Sequence, residues 1–237
     1  MSSTEALTCP SGEAYNYRNY HPRFYRVDTF SGPQRGSRSR DFKLVDSDGR
    51  VRRLSEFLDR VLVLEMGSLT CPMYAGNVAR SQELMHLYPE FNFAVLFVRE
   101  AHPGNRVSEH RSLSMKCENA QVAARMYGDG RTLLVDDIDG HAHEFFGQLP
   151  NSIFVIDTDG TVLFSEAWNN ASRLESVLQA MRSNQDVQSL SFQMAVPPLR
   201  QIIQTLFHAG IVSVFDFVIH APRLMWEHFR AGHFRKK

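Results

Sequence analysis

The chain has 237 residues, 43% of them hydrophobic, which is enough to bury one full core and leave a segment over. Its 26 basic and 26 acidic side chains cancel, so no global field draws nucleic acid or an acidic partner. The three cysteines, Cys9, Cys71 and Cys117, are an odd number at unrelated spacings, which argues against a disulfide framework and for a reducing, cytoplasmic setting.

Residues 1–40 read as an arm and linker. Tyr15, Tyr17, Tyr20, Phe24 and Tyr25 interleave with Arg18, Arg23 and Arg26, and a loop-forming stretch from Ser31 to Arg40 follows. Such interleaving suits base stacking, but with zero net charge an arm packed over a domain surface is the better reading. The first thirty residues carry no apolar signal-peptide core, and no run of about 18 uncharged apolar residues is present to span a bilayer.

Residues 41–184 alternate strand and helix patterns. A hairpin is predicted from Phe42 through the Asp48-Gly49 turn to Val51, then a strand at 61–66 and a helix at 72–87. A strand over 91–98, a helix over 112–127 and a short strand over 132–135 come next. A hairpin joins Ile153–Ile156 to Thr161–Phe164, and a last helix covers 170–183. Two βα units, an antiparallel hairpin and a closing helix make an α/β chain of thioredoxin-like order, a mixed central sheet flanked by helices. Asp46-Ser-Asp-Gly49 and Asp157-Thr-Asp-Gly160 lack the later glutamate of a calcium loop and read as turns. His141-Ala-His143-Glu144 lacks ligands at helical spacing, so it reads as an exposed helix start with Phe145 and Phe146 turned inward, and no metal is expected.

Residues 185–237 form a C-terminal helical extension. Leu199, Ile202, Ile203 and Leu206 recur at helical spacing, as do Ile211, Val214, Phe215, Val218, Met225, Trp226 and Phe229, with Gly210 and Pro222 expected to break the pattern. Arg200, Asp216 and Arg223 argue against a bilayer span. The aromatic and basic mixture from Trp226 to Lys237 suits either packing on the domain, a homodimer contact, or a peripheral membrane contact.

The segment Val61-Leu-Val-Leu-Glu-Met-Gly-Ser-Leu-Thr-Cys-Pro-Met-Tyr74 carries the chemistry. A buried strand ends at Gly67, and Cys71-Pro72 opens a helix, so the thiol lies in a strand-to-helix turn. Unpaired N–H groups and the helix dipole there favour the reactive thiolate. An inert buried cysteine is the bland alternative.

Gly67-Ser-Leu-Thr-Cys-Pro-Met-Tyr74, followed in order by Arg99-Glu-Ala-His-Pro103, His110-Arg-Ser-Leu113, Leu134-Val-Asp136 and Leu149-Pro-Asn151, resembles the iodothyronine deiodinase family over about residues 41–183. The resemblance implies a thioredoxin fold, and in animal members the removal of iodine from thyroid hormones by a selenocysteine where Cys71 stands. Bacterial relatives are similar and carry cysteine there. It implies further that Ser68 and Thr70 are polar neighbours of the nucleophile, that Glu100 and His102 bind and protonate substrate, and that His110 serves a proton relay. A thiolate attacking a polarised iodine or peroxide oxygen does need a nearby proton donor, and Glu100 is placed to orient His102 or raise its pKa. Tyr74 and Pro150 complete the expected substrate-binding set, Pro150 because the proline before that strand faces the reactive cysteine in thioredoxin-like folds.

The chain departs from the family in its thiols. Leu69 replaces a cysteine two residues before the nucleophile, Gly130 and Arg131 stand where a resolving cysteine would, and Tyr74 occupies the second position of a CxxC. Cys117 is then the one resolver candidate in the domain, with a small core residue as its bland alternative. Otherwise an external thiol such as thioredoxin or glutathione regenerates the enzyme, with no cofactor. The expected function is a thiol-dependent oxidoreductase in which Cys71 attacks a soft electrophile on a small molecule: a carbon-bound halogen, a peroxide or a disulfide. A peroxiredoxin-like peroxidase and a non-catalytic thioredoxin-like interaction module are the alternatives.

Overall fold

A computed structural model describes residues 15–25, 30–185, 187 and 196–230. Cys9, Arg26 and the basic end after Arg230 lie outside the described residues. Strands β1 (Lys43–Asp46) and β2 (Val51–Arg53) form the first hairpin, and a 3-10 turn at Leu54–Phe57 leads to β3 (Leu62–Gly67). Helix α1 (Pro72–Leu87), β4 (Asn92–Phe97), α2 (Leu113–Tyr127), β5 (Thr132–Val135) and α3 (His141–Phe145) follow. The hairpin β6 (Ile153–Ile156) and β7 (Val162–Glu166) precedes α4 (Ala171–Arg182), and α5 (Leu199–Ala209) and α6 (Ile211–Arg230) make the extension.

The seven strands lie in one mixed sheet of order β2-β1-β5-β4-β3-β6-β7. β3, β4 and β5 run parallel and the rest pair antiparallel, so the expected thioredoxin-like core is present, with the first hairpin added on the β5 edge. β3 is buried along its whole length because both faces of the sheet are covered. Leu62, Leu64 and Met66 pack with Leu96, Phe154 and Phe146 on the α3 face, while Val63 meets Leu84, Val155 and Val177 under α1 and α4. Val95, Phe97, Leu133 and Val135 meet Val78, Ala120 and Ala123 between α1 and α2.

Local signals fix the helix starts. Cys71 caps α1 with Pro72 next, Ser112 caps α2 through its hydroxyl, and Asn170 caps α4 through its side-chain oxygen. Two expectations fail in detail. Pro222 does not break the extension: α6 runs through it for 20 residues, forgoing the one hydrogen bond a proline cannot donate, because its inner face stays packed. His143 is not exposed but fully buried, since α3 is a short helix pressed between the sheet and the arm. Its Nε2 donates to the Leu149 carbonyl (3.1 Å) and its Nδ1 accepts from the Tyr15 hydroxyl (2.8 Å). Burial holds this imidazole neutral, well below its ordinary pKa. Phe146 is buried as expected, and Phe145 packs partly buried against the same cluster.

The arm is clamped by Arg99, which the sequence motif includes without assigning it a role. Arg99, at the end of β4, lies within 5.0 Å of the Tyr15 and Tyr17 ring centroids and 5.3 Å of Tyr25. It also donates to the Tyr15 carbonyl (2.9 Å) and the Phe24 carbonyl (3.0 Å). Gly140, at φ +79°, leaves the space that the Tyr15 ring fills.

Candidate active site

β3 and β4 are paired in parallel with Gly67 opposite Phe97, so the chain leaves both strands at one edge, where α/β sheets present their sites. The two exit loops are stitched together by polar bonds. Ala101 N–H donates to Ser68 Oγ (3.2 Å), and the Thr70 hydroxyl donates to Glu100 Oε2 (2.7 Å) while accepting from His102 N–H (3.0 Å). Thr70 N–H adds a second bond to the same carboxylate oxygen (2.9 Å). The other oxygen of Glu100 accepts from His110 Nε2 (3.0 Å) and Asn119 Nδ2 (3.1 Å).

Ser68, Thr70, Glu100 and His110 are all essentially without solvent exposure, and none lines the cavity beside Cys71. They hold the loops in place, and Asn119, which no motif pointed to, completes the set from α2. Glu100 does not orient the His102 ring, as had been expected. It binds the Thr70 turn, and His110 sits behind it, reaching the loop only through the carboxylate.

Cys71 lies at the N-cap of α1, as the sequence predicts, and its Sγ accepts from the Tyr74 N–H at 3.5 Å. Its expected ionisation does not follow. Only 1% of the residue is exposed, and burial pushes the thiol pKa up to about 12. The Tyr74 and Met73 N–H groups pull the other way, but Glu65 and Glu100 add to the rise. Desolvation exceeds the helix-terminus effect because the dipole contributes about 1 kcal/mol, whereas three pH units correspond to about 4 kcal/mol. In this closed arrangement the sulfur is a thiol.

Cys71 nevertheless borders a cavity of about 170 Å³. Pro72, Met73, Pro150 and Trp168 form its floor with Cys71. Tyr20 and Tyr25 from the arm cover one side, and Ile202 of α5 with Phe217, Leu224, Met225 and His228 of α6 close the rest. Pro150 is therefore on the Cys71 cavity, through a trans peptide bond, since no cis bond occurs among the described residues.

His102 lines the same cavity. Its ring lies 4.2 Å from that of Tyr20 and 5.6 Å from that of Phe217, and burial lowers its pKa to about 3. His102 Nδ1 and Trp168 Nε1 are both buried without a hydrogen-bond partner among the described residues. A ligand with one polar group fits such a lining, because an unmet buried donor or acceptor costs about 1–3 kcal/mol.

The remaining candidates separate from this cavity. Tyr74 was expected to bind substrate, but its hydroxyl donates to Asp129 Oδ2 (2.7 Å) inside the core. Cys117 Sγ lies 4.0 Å from the Asp46 carbonyl oxygen in a groove beside the β1–β2 turn, and both it and Cys71 are free thiols. His141 pairs with Asp137 at 2.8 Å, and with Asp139 these form an exposed group whose ligand atoms lie within 4.8 Å of one another.

One buried network escaped the sequence reading. Glu65, central in β3, accepts from Arg131 (2.5 Å), Asn151 (2.9 Å) and Asn169 (2.7 Å). Arg131 also forks onto Asp129 through Nε (2.9 Å) and Nη2 (2.7 Å). Burial alone would raise the Asp129 pKa, yet Arg131 and Tyr74 hold it below the usual carboxylate range. The signal was available: a carboxylate inside an apolar strand needs a buried cation, and Arg131 borders the next parallel strand but one.

Comparisons with known proteins agree with the architecture. A protein of Chlorobium tepidum described as a candidate thiol:disulfide interchange protein DsbE superposes with TM-score 0.51 at 18% identity, covering 63% of this chain and 96% of its own. A hypothetical protein from Sinorhizobium meliloti (TM-score 0.55, 18% identity, 68% and 91% covered) is similar, as is an uncharacterised conserved protein from Geobacillus kaustophilus (0.54, 16%, 68% and 89%). At these identities the likeness shows the thioredoxin-like fold. No curated protein matches the sequence. The model of the iodothyronine deiodinase family matches residues 22–172, from the arm's 3-10 turn through the start of α4. With the match spanning well over half the chain and enclosing Cys71 and His102, the chain belongs to the iodothyronine deiodinase family of thioredoxin-fold oxidoreductases.

Proposed function

We propose that this protein is a thiol-dependent reductase that removes halogen, iodine first, from a ring-sized apolar molecule bearing one polar group. The observation that carries the reading is the shared cavity: Cys71 and His102 line one apolar chamber of about 170 Å³. A dry chamber of about that size holds a single benzene ring. The unpartnered nitrogens of His102 and Trp168 suit a phenol hydroxyl or carbonyl on that ring.

The chemistry balances with an external thiol. The Cys71 thiolate attacks iodine, the carbon–iodine bond breaks, and its electron pair stays on carbon, which takes a proton. This leaves a sulfenyl iodide on Cys71. A first external thiol displaces iodide, giving a mixed disulfide, and a second releases it. One carbon–iodine bond is reduced and two thiols become one disulfide. His102, whose buried Nδ1 has no partner among the described residues, hands over the proton, from its N–H when neutral or as imidazolium once the site opens to water. Cys117 lines a different groove from Cys71, which favours an external reductant over an internal resolver. A cytoplasmic thiol pool such as thioredoxin or glutathione is consistent with the unpaired cysteine count.

The test is iodide release from an iodinated phenol in the presence of a dithiol. Turnover by the wild type, lost in Cys71→Ser and reduced in His102→Phe, is expected. Cys71-dependent consumption of hydrogen peroxide without iodide release would replace this reading by a peroxidase. No Cys71-dependent turnover of either would leave an interaction module.

A further inference from the structure

Helix α6 is apolar on two opposite faces. Its inner face, through Phe217, Leu224 and His228, roofs the Cys71 cavity. Its outer face carries Phe215, Val218, Ile219, Met225, Trp226 and Phe229, each more than half exposed. α5 continues this pattern with Leu199, Ile203 and Phe207 up to the Gly210 corner, where α6 begins with exposed Ile211. Ten such side chains present on the order of 1,000 Å² of apolar surface, against the few hundred a monomer usually shows. An amphipathic helix needs one apolar stripe to pack on its own core, so a second, exposed apolar face is a surface suited to an outside occupant.

Charge chooses the occupant. From Pro197 to Lys237 the chain carries six basic side chains and two acidic ones, three of the basic ones in its last three positions. Both acids are already engaged, Asp216 by Asn19 (3.1 Å) and Glu227 by Arg223 (2.9 Å). A second copy of this net-basic segment offers it no compensating charge, whereas an anionic lipid surface does. None of the helices among the described residues is long and apolar enough to cross a membrane. α6, about 30 Å long with Trp226 and Phe229 stacked near its basic end, has the makeup of a helix that lies in the interface.

We infer that the outer face of α5 and α6 docks on an anionic bilayer, and that docking lifts α6 from the Cys71 cavity toward the lipid. The arm stays in place during this movement because Arg99 fixes it to β4, so α6 is the mobile wall. Gly210, at φ +114° with Asn105 against it, is the joint, a conformation side chains rarely adopt. Resting on the thiol chemistry proposed above, the electrophile is then a molecule partitioned into the lipid phase, entering past α6 without crossing water.

The experiment uses the full chain with Cys9→Ser and Cys117→Ser, leaving one thiol. It is floated with phosphatidylcholine vesicles and with vesicles in which about a quarter of the lipid is phosphatidylglycerol. Recovery with the anionic vesicles is expected to be roughly tenfold or more above the neutral ones, and to fall as salt rises. Phe215→Glu with Trp226→Glu, both on the exposed face, should abolish it while leaving the melting temperature unchanged. Maleimide labelling of Cys71 should speed up about tenfold or more on anionic vesicles, because a sulfur now 1% exposed becomes reachable once α6 moves away. Absence of flotation, or a solution dimer abolished by the same two substitutions, overturns the docking. Labelling that vesicles leave unchanged overturns the lifting. Both readouts are independent of turnover, so docking and labelling without iodide release would defeat the dehalogenase reading alone.

Discussion

Removing the Tyr20 ring is the most direct way to ask whether the cover sets the chemistry of Cys71. Tyr20 is 3% exposed, packs against His102 with ring centroids 4.2 Å apart and lines the cavity, so Tyr20→Ala admits water to both groups. Burial is the leading cause of the rise in the Cys71 pKa from 9.0 to about 12, and relieving it returns the thiol toward the lower value. Three pH units raise the thiolate fraction near neutral pH roughly a thousandfold. The more acidic thiol is a weaker nucleophile, which takes back roughly 15- to 30-fold, leaving a net gain of about 30- to 60-fold in alkylation rate. Iodoacetamide labelling followed by mass spectrometry, with Cys9 and Cys117 replaced by serine, reads this directly. Wild-type rates should keep climbing with pH up to the alkaline limit of folding, whereas the variant should level off near pH 9. Tyr20→Phe retains the cover and should behave as wild type. Equal rates and equal pH profiles in Tyr20→Ala and wild type would refute the argument that the cover suppresses the thiolate.

Other positions give independent readings. Glu65→Leu leaves Arg131 buried with only Asp129 as a charged partner and should cost about 3–5 kcal/mol in urea denaturation, and the double change Glu65→Leu, Arg131→Leu should recover part of it. His102 has its pKa lowered to about 3 from 6.5, so it contributes stability that is complete above pH 6.5 and is lost as pH falls toward 3. Wild type should therefore lose on the order of a few kcal/mol across that window, and His102→Phe should lose less, as read from denaturation midpoints. Arg99→Met removes the cation holding the arm and should cost about 2–3 kcal/mol, with trypsin cleavage at exposed Arg18 and Arg23 becoming fast.

What was legible in the sequence follows the physics of near neighbours. α1 and β5 occupy the predicted residues because Gly67, Cys71-Pro72 and the short Thr132–Val135 run are signals a few residues long. The Cys71 cavity was half legible: Pro150 and His102 reach it, while Tyr74 turns into the core to meet Asp129. Glu100 and His110 were found, but not the direction they face, which is set by Thr70 and Asn119 from two other elements. Within the arm Arg23 lies over Phe24, but the cation over Tyr15, Tyr17 and Tyr25 is Arg99, some eighty residues away. Pro222 misled because a proline's cost is local, whereas the packing that keeps α6 continuous is not. The ionisation of Cys71 was misjudged for the same reason. The helix terminus is written in adjacent residues, and the roof that desolvates the sulfur comes from positions 20 and 217–228.

That roof also reconciles a reactive family with an unreactive resting site. Burial acts on Cys71 and His102 in opposite directions, raising one pKa to about 12 and lowering the other to about 3, and leaves both neutral. A neutral thiol beside a neutral imidazole is the state that an apolar chamber tolerates, since charging either group there meets a large desolvation cost. The Tyr74 and Met73 N–H groups favour the thiolate but do not offset its burial, and Glu65 and Glu100 oppose it. Water or a polarised substrate must therefore arrive before the sulfur can attack. Since the floor is the rigid sheet edge and the arm is held by Arg99, the element able to admit either one is the helix whose far side is already apolar. On that inference, the reactivity of Cys71 depends on where α6 rests. Under the docking inferred above, the cysteine is protected from chance oxidation until its substrate's own phase is reached.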